Sequence, residues 1–196
     1  MNDFAFYFTI GWKHIISTAA LDHILFITAL AAVYLVRDVK HILILVTAFT
    51  FGHSLTLALS LYDIIRFPSR LVEFLIPLTI VITAVLNIIL KENVSNQMTP
   101  RYLVALTFGL IHGMGFANSL RFLLNRKESI VIPLLGFNLG LEVGQVVIVT
   151  IILCLSYLFI TRANLRQRSW IIILSYVALG VGLSICVQRF PFNGRP

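Results

Sequence analysis

Six stretches of this chain stay apolar for about 20 residues, the length an α-helix needs to cross a bilayer. They cover roughly residues 14–36, 41–62, 71–90, 102–124, 130–160 and 170–187. Burying six such runs in a single soluble core would leave long apolar faces in water. Composition points the same way. Hydrophobic residues make up 59% of the chain and charged ones 12%, against about 45–50% and about 25% in soluble domains. Mean hydropathy is +0.95. These values exclude a cytosolic globule and a disordered chain.

The expected fold is therefore all-α, a polytopic membrane bundle of about six helices forming one domain over residues 1–196. The connections are short and polar, namely Arg37–Lys40, Asp63–Arg70, Lys91–Arg101, Asn125–Ser129 and Arg162–Ser169. They leave no room for an extramembrane domain. The aromatic segment Phe4–Trp12 is too short to span and is expected at the interface. The fifth run is long enough to be tilted, or broken near Pro133 and Gly136.

The net charge of +7 does not imply nucleic acid. The cations lie between apolar runs, where lipid headgroups attract them. Arg121, Arg126 and Lys127 read as such an anchoring cluster. The 15 Lys and Arg divide almost evenly between the two faces, so the positive-inside rule leaves orientation open. The two cysteines, Cys154 and Cys186, have neither metal-ligand spacing nor a disulfide framework. The start carries no basic region or cleavage site of a secretory signal. No P-loop, dinucleotide fingerprint or H-E-x-x-H motif is present. Internal repetition is confined to a slight likeness between Asp22–Leu25 and Gly52–Leu55.

The informative residues are those that lipid disfavours. Asp22, His23, His53, Glu73, Asn87, His112, Asn118, Asn138, Glu142 and Gln145 all fall inside apolar runs. An ionisable group at membrane depth is costly and marks a site by default. The structural alternative is interhelical hydrogen bonding, worth about 0.6 kcal/mol per bond in membranes. Each helical residue advances about 100°. Thr50, His53, Thr56 and Ser60 therefore share one face of the second run, within roughly 120°. Glu73, Thr83 and Asn87 share roughly 80° of the third, and Asn138, Glu142 and Gln145 roughly 60° of the fifth. On the first run His14, Thr18 and Asp22 form a stripe. His23 is turned about 100° from Asp22, so the two flank a site from different directions.

Glycine adds a second pattern. Gly136, Gly140 and Gly144 repeat every four residues on the side of the fifth run away from its polar face, a ridge that admits another helix closely. Packing on one face and polar contacts on the other predict a central helix with little lipid contact. In the fourth run Gly109, Gly113 and Gly115 surround His112. They clear space for a neighbouring helix or for a ligand at the imidazole.

Imidazole with carboxylate suits Ni, Co, Zn, Fe or Mn. The same groups serve a proton relay or a water-activating metal centre in an intramembrane hydrolase. Three readings follow from the residues: a divalent-metal permease, an intramembrane metal enzyme, and a non-catalytic component whose polar groups tie helices together.

Five segments carry a family resemblance. They are Gly11-Trp12-Lys13-His14-Ile15 with Leu21-Asp22-His23-Ile24-Leu25-Phe26, then Thr47 to Leu59 around Phe51-Gly52-His53-Ser54-Leu55. Val72-Glu73 with Asn87 follows, then Phe108-Gly109-Leu110-Ile111-His112-Gly113-Met114-Gly115-Phe116-Ala117. The last is Phe137-Asn138-Leu139-Gly140-Leu141-Glu142-Val143-Gly144-Gln145. In order, from about residue 11 to 150, they resemble the HupE/UreJ membrane proteins. The resemblance implies nickel or cobalt transport linked to hydrogenase and urease maturation; the ligand types themselves also accept zinc. It implies a multi-pass protein of the bacterial inner membrane, with the metal ion and the bilayer as partners and self-association open. It also implies metal handling by His53, His112, Asp22, His23, Glu73 and Glu142. Asn138, Gln145, Thr50, Asn87 and His14 stand behind them or along the path. Three places depart from the family pattern: a longer His14–Asp22 spacing, Gly52 for alanine, and Pro77, which predicts a kink near Glu73.

Overall fold

The computed structural model describes residues 3–17, 20–90, 98–123 and 130–191, the side chains at 3, 98, 99, 118 and 121–123 excepted. The side chains of Asn118 and Arg121, and the whole of Arg126 and Lys127, lie outside the described residues.

Among the described residues seven α-helices make the fold: α1 Asp3–Ile16, α2 Leu21–Ala31, α3 Val39–Leu61, α4 Ser69–Ile89, α5 Met98–Leu123, α6 Val131–Ser156 and α7 Gln167–Gln188. A 3₁₀ turn, Val36–Asp38, leads into α3, and a π-helical turn, Tyr157–Arg162, extends α6. Four helical segments are long and apolar enough to cross a membrane, and five if the bent pair α1 and α2 is one span. Only a third to a half of each apolar window is buried; the remainder is an apolar outer surface suited to lipid. The fourth expected span, α5, has 26 residues, about 39 Å. Its His112 and glycines make it less apolar than the other long helices.

The first run departs from expectation. It is not one helix over 14–36; α1 and α2 meet at 69°. Asp22 turns its Oδ1 back to accept from the His23 N–H at 2.9 Å, satisfying a donor in the first turn of α2. A carboxylate there also complements the helix dipole. With 11 residues, α2 covers about 16 Å and cannot span alone.

Phe4–Trp12 is not an interfacial segment either. It forms most of α1, which lies along the glycine ridge of α6. A Cβ at Gly136 would stand 2.7 Å from the Phe4 carbonyl oxygen, and one at Gly140 would strike that of Phe8. Gly11 returns the contact, with its own Cβ position against the Phe137 carbonyl. Contacts ascend together along the two chains, so α1 and α6 run parallel. The ridge has the packing role read from its spacing.

Other contacts set the remaining directions. Gly109 meets Phe49 and Gly113 meets His53, so α3 and α5 are parallel. Thr79 meets His112 while Ile76 meets Gly115, so α4 and α5 are antiparallel. Phe74 meets Phe190 and Asn87 meets Arg168, so α4 and α7 are antiparallel. Asp22 meets Arg189 and Val33 meets Gln167, which sets α2 against α7. Thr47 meets Glu142, Thr50 meets Gln145 and His53 meets Phe137, which packs α3 on α6. Counted as one span, the bent pair α1–α2 brings the candidate membrane crossings among the described residues to five.

Two further expectations change. The helix α6 runs unbroken through Pro133 and Gly136. Pro133 sits in its first turn, where a missing N–H leaves no gap in the ladder. Nor is α6 fully surrounded. Leu135, Leu139, Val143, Val147, Ile151 and Leu155 form an exposed apolar stripe. The helix α4 also continues through Pro77, with no break near Glu73.

Helix ends within the bundle are capped from a distance. Arg168 donates to the carbonyls of Asn87 at 2.9 Å and Leu90 at 3.1 Å, and to that of Ile88. Three carbonyls at the end of α4 are thus satisfied by one guanidinium. Arg168→Ala is expected to destabilise the protein by about 2 kcal/mol. Thermal unfolding in detergent measures this; an unchanged midpoint would show that water replaces the guanidinium.

Candidate metal centre

Four helices bring four histidines together. His14 ends α1, His23 begins α2, His53 lies in α3 and His112 in α5. Ring centroids are 4.7 Å apart for His14–His23, 4.8 Å for His23–His112 and 6.4 Å for His14–His53. One nitrogen from each of His14, His23 and His53 lies within 4.8 Å of the other two. His112 adjoins this trio through His23. His53 stands eight residues from the end of α3, about 12 Å along the helix. It therefore lies well inside a helix long and apolar enough to cross a membrane.

Its hydrogen bonding is incomplete in a telling way. His14 Nε2, His23 Nε2, both nitrogens of His53 and His112 Nδ1 are buried without a partner, as is Asn138 Oδ1. An unsatisfied buried polar atom costs about 1–3 kcal/mol. Three of these rings, His14, His23 and His53, lie close enough together to hold one metal ion. The nitrogens that do have partners are held firmly. His23 Nδ1 lies 3.1 Å from Asp22 Oδ1, and His112 Nε2 lies 3.1 Å from Thr79 Oγ1. A carboxylate behind a histidine fixes its ring and raises its basicity as a ligand.

The site is joined to a cavity of about 380 Å³ whose walls include His14, Asp22, His23, Glu73, His112 and Arg189. Glu73 is exposed on α4 and supplies a carboxylate on this path. Asp22 has a different task. Oδ1 serves His23, and Oδ2 accepts from Arg189 Nη1 at 3.3 Å. Both oxygens have partners, so Asp22 fixes the His23 ring and ties α2 to Arg189. Asp22→Asn keeps the shape and removes the charge. It is expected to weaken transition-metal binding about 10- to 100-fold, measured by titration of the purified protein. Unaltered affinity would show that the carboxylate has no such role.

Other expected site residues lie elsewhere. Glu142 accepts from Thr47 Oγ1 at 2.8 Å and Gln145 from Thr50 Oγ1 at 2.7 Å. These two bonds tie α3 to α6 away from the imidazoles. Asn87 donates to the Ala29 carbonyl at 2.7 Å and caps α2. The Glu73–Thr83–Asn87 stripe thus serves opposite ends of α4. Asn138 donates to Leu134 at 2.8 Å, and its side chain neighbours His53. The second-run stripe is shared as well: Thr50 turns to α6, while Thr56 donates to the Leu110 carbonyl of α5 at 2.8 Å.

Sequence reasoning missed Arg189 and Thr79 and undervalued His14. Arg189 carried no local signal, being 167 positions from Asp22. Thr79, a hydroxyl four residues before Thr83 in an apolar helix, could have been added to its stripe.

A family model described as HupE / UreJ protein matches residues 1–189. The chain belongs to the HupE/UreJ family. No curated protein and no solved structure matches it. As a HupE/UreJ protein the chain combines apolar helices long enough to cross a membrane with a histidine cluster. The ordered motifs read from the sequence fall within the matched span. His14, placed outside the ligand set in that reading, stands beside His23 and His53 in the histidine cluster.

Proposed function

We propose that this protein is a permease for a divalent transition-metal cation, nickel or cobalt in keeping with its family, with zinc as an acceptable substitute. The observation that carries the reading is the set of unpartnered imidazole nitrogens, drawn from four helices and buried at membrane depth. Neutral imidazoles suit borderline metals and disfavour Mg²⁺ or Ca²⁺, which take oxygen ligands. A permeating ion must also leave, and a nitrogen cluster without a ring of thiolates permits release.

The surroundings support passage. Behind the cluster Phe26, Phe49 and Phe108 form a buried aromatic layer. Phe26 and Phe49 rings are 5.0 Å apart, and Phe26 and Phe108 rings 5.8 Å. On the far side of that layer a second cavity of about 360 Å³ is lined by Leu30, Thr83, Asn87 and Arg101 among others. Along α2, Phe26 falls between His23 and Leu30; along α5, Phe108 falls between His112 and Val104. Two half-open cavities separated by one thin layer suit a transporter closed at its middle. The broken crossing α1–α2 places helix ends beside the cluster, another recurrent transporter device. The protein would work in a bacterial cytoplasmic membrane, driven by an ion gradient.

The test is uptake of Ni²⁺ or Co²⁺ into proteoliposomes, compared with His53→Ala and His112→Ala at equal protein levels. Loss of uptake in both variants is expected. Equal uptake in all three would overturn the reading. Chelator-sensitive hydrolysis without flux would favour the enzyme alternative.

A further inference from the structure

Thr79 is a hydroxyl in the middle of α4, and its geometry bears on how His112 meets a cation. Thr79 Oγ1 donates its single hydrogen to the Ile76 carbonyl at 2.7 Å. The same oxygen lies 3.1 Å from His112 Nε2. With its hydrogen committed, the hydroxyl can only accept from that nitrogen. A neutral imidazole has one N–H. Placing it at Nε2 leaves the lone pair at Nδ1, and Nδ1 is the buried, unpartnered atom of this ring. Thr79 is 1% exposed and His112 also 1%, so water does not compete for either contact.

We infer that Thr79 is a positioning residue that holds His112 in its Nε2–H form, so that this histidine offers Nδ1 to the cation. His23 is set the opposite way. Asp22 occupies its Nδ1 and leaves Nε2 free. The two adjacent rings thus present different nitrogens, each chosen by a neighbour on the far side. The part of this inference that concerns the cation rests on the proposed metal site; the part that concerns the tautomer does not.

The experiment is nuclear magnetic resonance of protein carrying ¹⁵N,¹³C-labelled histidine, with His112 assigned through His112→Gln. Zn²⁺ serves as a diamagnetic probe. Metal-free wild type is expected to show the Nε2–H form at His112, and Zn²⁺ to move its Nδ1 signal. Thr79→Val is expected to give mixed tautomers and at least about tenfold weaker Zn²⁺ binding. Thr79→Ser, which keeps the hydroxyl, is expected to restore both. A purely packing role for Thr79 would not change the tautomer. An Nδ1–H form in the metal-free protein, a Zn²⁺ shift at Nε2, or an unchanged Thr79→Val spectrum would overturn the inference. An Nε2–H form with no histidine responding to Zn²⁺ would uphold Thr79's control of the ring and overturn the metal reading instead.

Discussion

His53→Leu is expected to lower transition-metal uptake by about 100-fold or more, while leaving the protein at least as stable as the wild type. The first half follows from position. His53 is completely buried, and one of its nitrogens belongs to the group of three that lie within 4.8 Å of one another. Losing an orienting group behind a ligand already costs roughly 10- to 100-fold in metal affinity; losing the ligand costs more. The second half follows from the unmade hydrogen bonds. Neither His53 nitrogen makes a hydrogen bond of good geometry, Asn138 being the polar side chain that bears on the ring, so the metal-free protein carries a desolvation cost that leucine removes. Sites kept for binding often sacrifice stability in this way. The measurements are proteoliposome flux and thermal unfolding in metal-free detergent solution. A variant that still transports, or that unfolds well below the wild type, would show that His53 has a structural role.

Gly113→Ala is expected to have a large structural effect for a single methyl group. A Cβ at this position would meet the His53 carbonyl oxygen and the Thr56 hydroxyl. The first is backbone and cannot rotate away. Thr56 is held by the Leu110 carbonyl at 2.8 Å. The helices α3 and α5 must separate, and His53 and His112 with them. Overpacking of this kind costs about 1–3 kcal/mol, and a small shift of the imidazoles weakens metal binding further. Gly180→Ala is the control, since nothing lies within 4 Å of a Cβ there. That change should hold or raise stability, because alanine favours a helix by up to about 1 kcal/mol. If both variants melt together and bind metal alike, close approach at Gly113 is not what sets the site.

How much of this was legible differs from residue to residue. The glycine ridge of α6 announced its role because close helix approach imposes a local rule, a small residue every four positions. His53, His23 and His112 stood out because lipid penalises polar groups, whatever the fold. The break between α1 and α2 was missed for a physical reason. An apolar run records average hydropathy, which the few polar residues near Asp22 hardly change. A chain break depends on which hydrogen bonds close at that point. The same limit hid the difference between Asp22 and Glu73. Both are carboxylates in apolar runs, yet one is held by His23 and Arg189 while the other lies open on the cavity path.

The helical wheels erred in a related way. They placed Glu142 and Gln145 with Asn138 on one face of α6, which is correct as geometry. They did not show that this face meets Thr47 and Thr50 as well as His53. A face has length as well as direction, and neighbouring helices meet only part of it.

The sequence by itself determined the solvent and the class of chemistry. Long apolar runs demand a bilayer, and backbone groups in lipid must satisfy one another, which makes the runs helical. Imidazoles and carboxylates within them demand a reason, and the ordered motifs supplied the family. Tertiary structure alone decided which of those groups share a site. His14, His23, His53 and His112 belong to four helices, and their meeting depends on how glycine contacts bring α1 to α6 and α3 to α5. Only the fold enlisted Arg189 and Thr79, which gain their roles from the histidine-site groups they touch. Periodicity acts within one helix; the site is made where several helices cross.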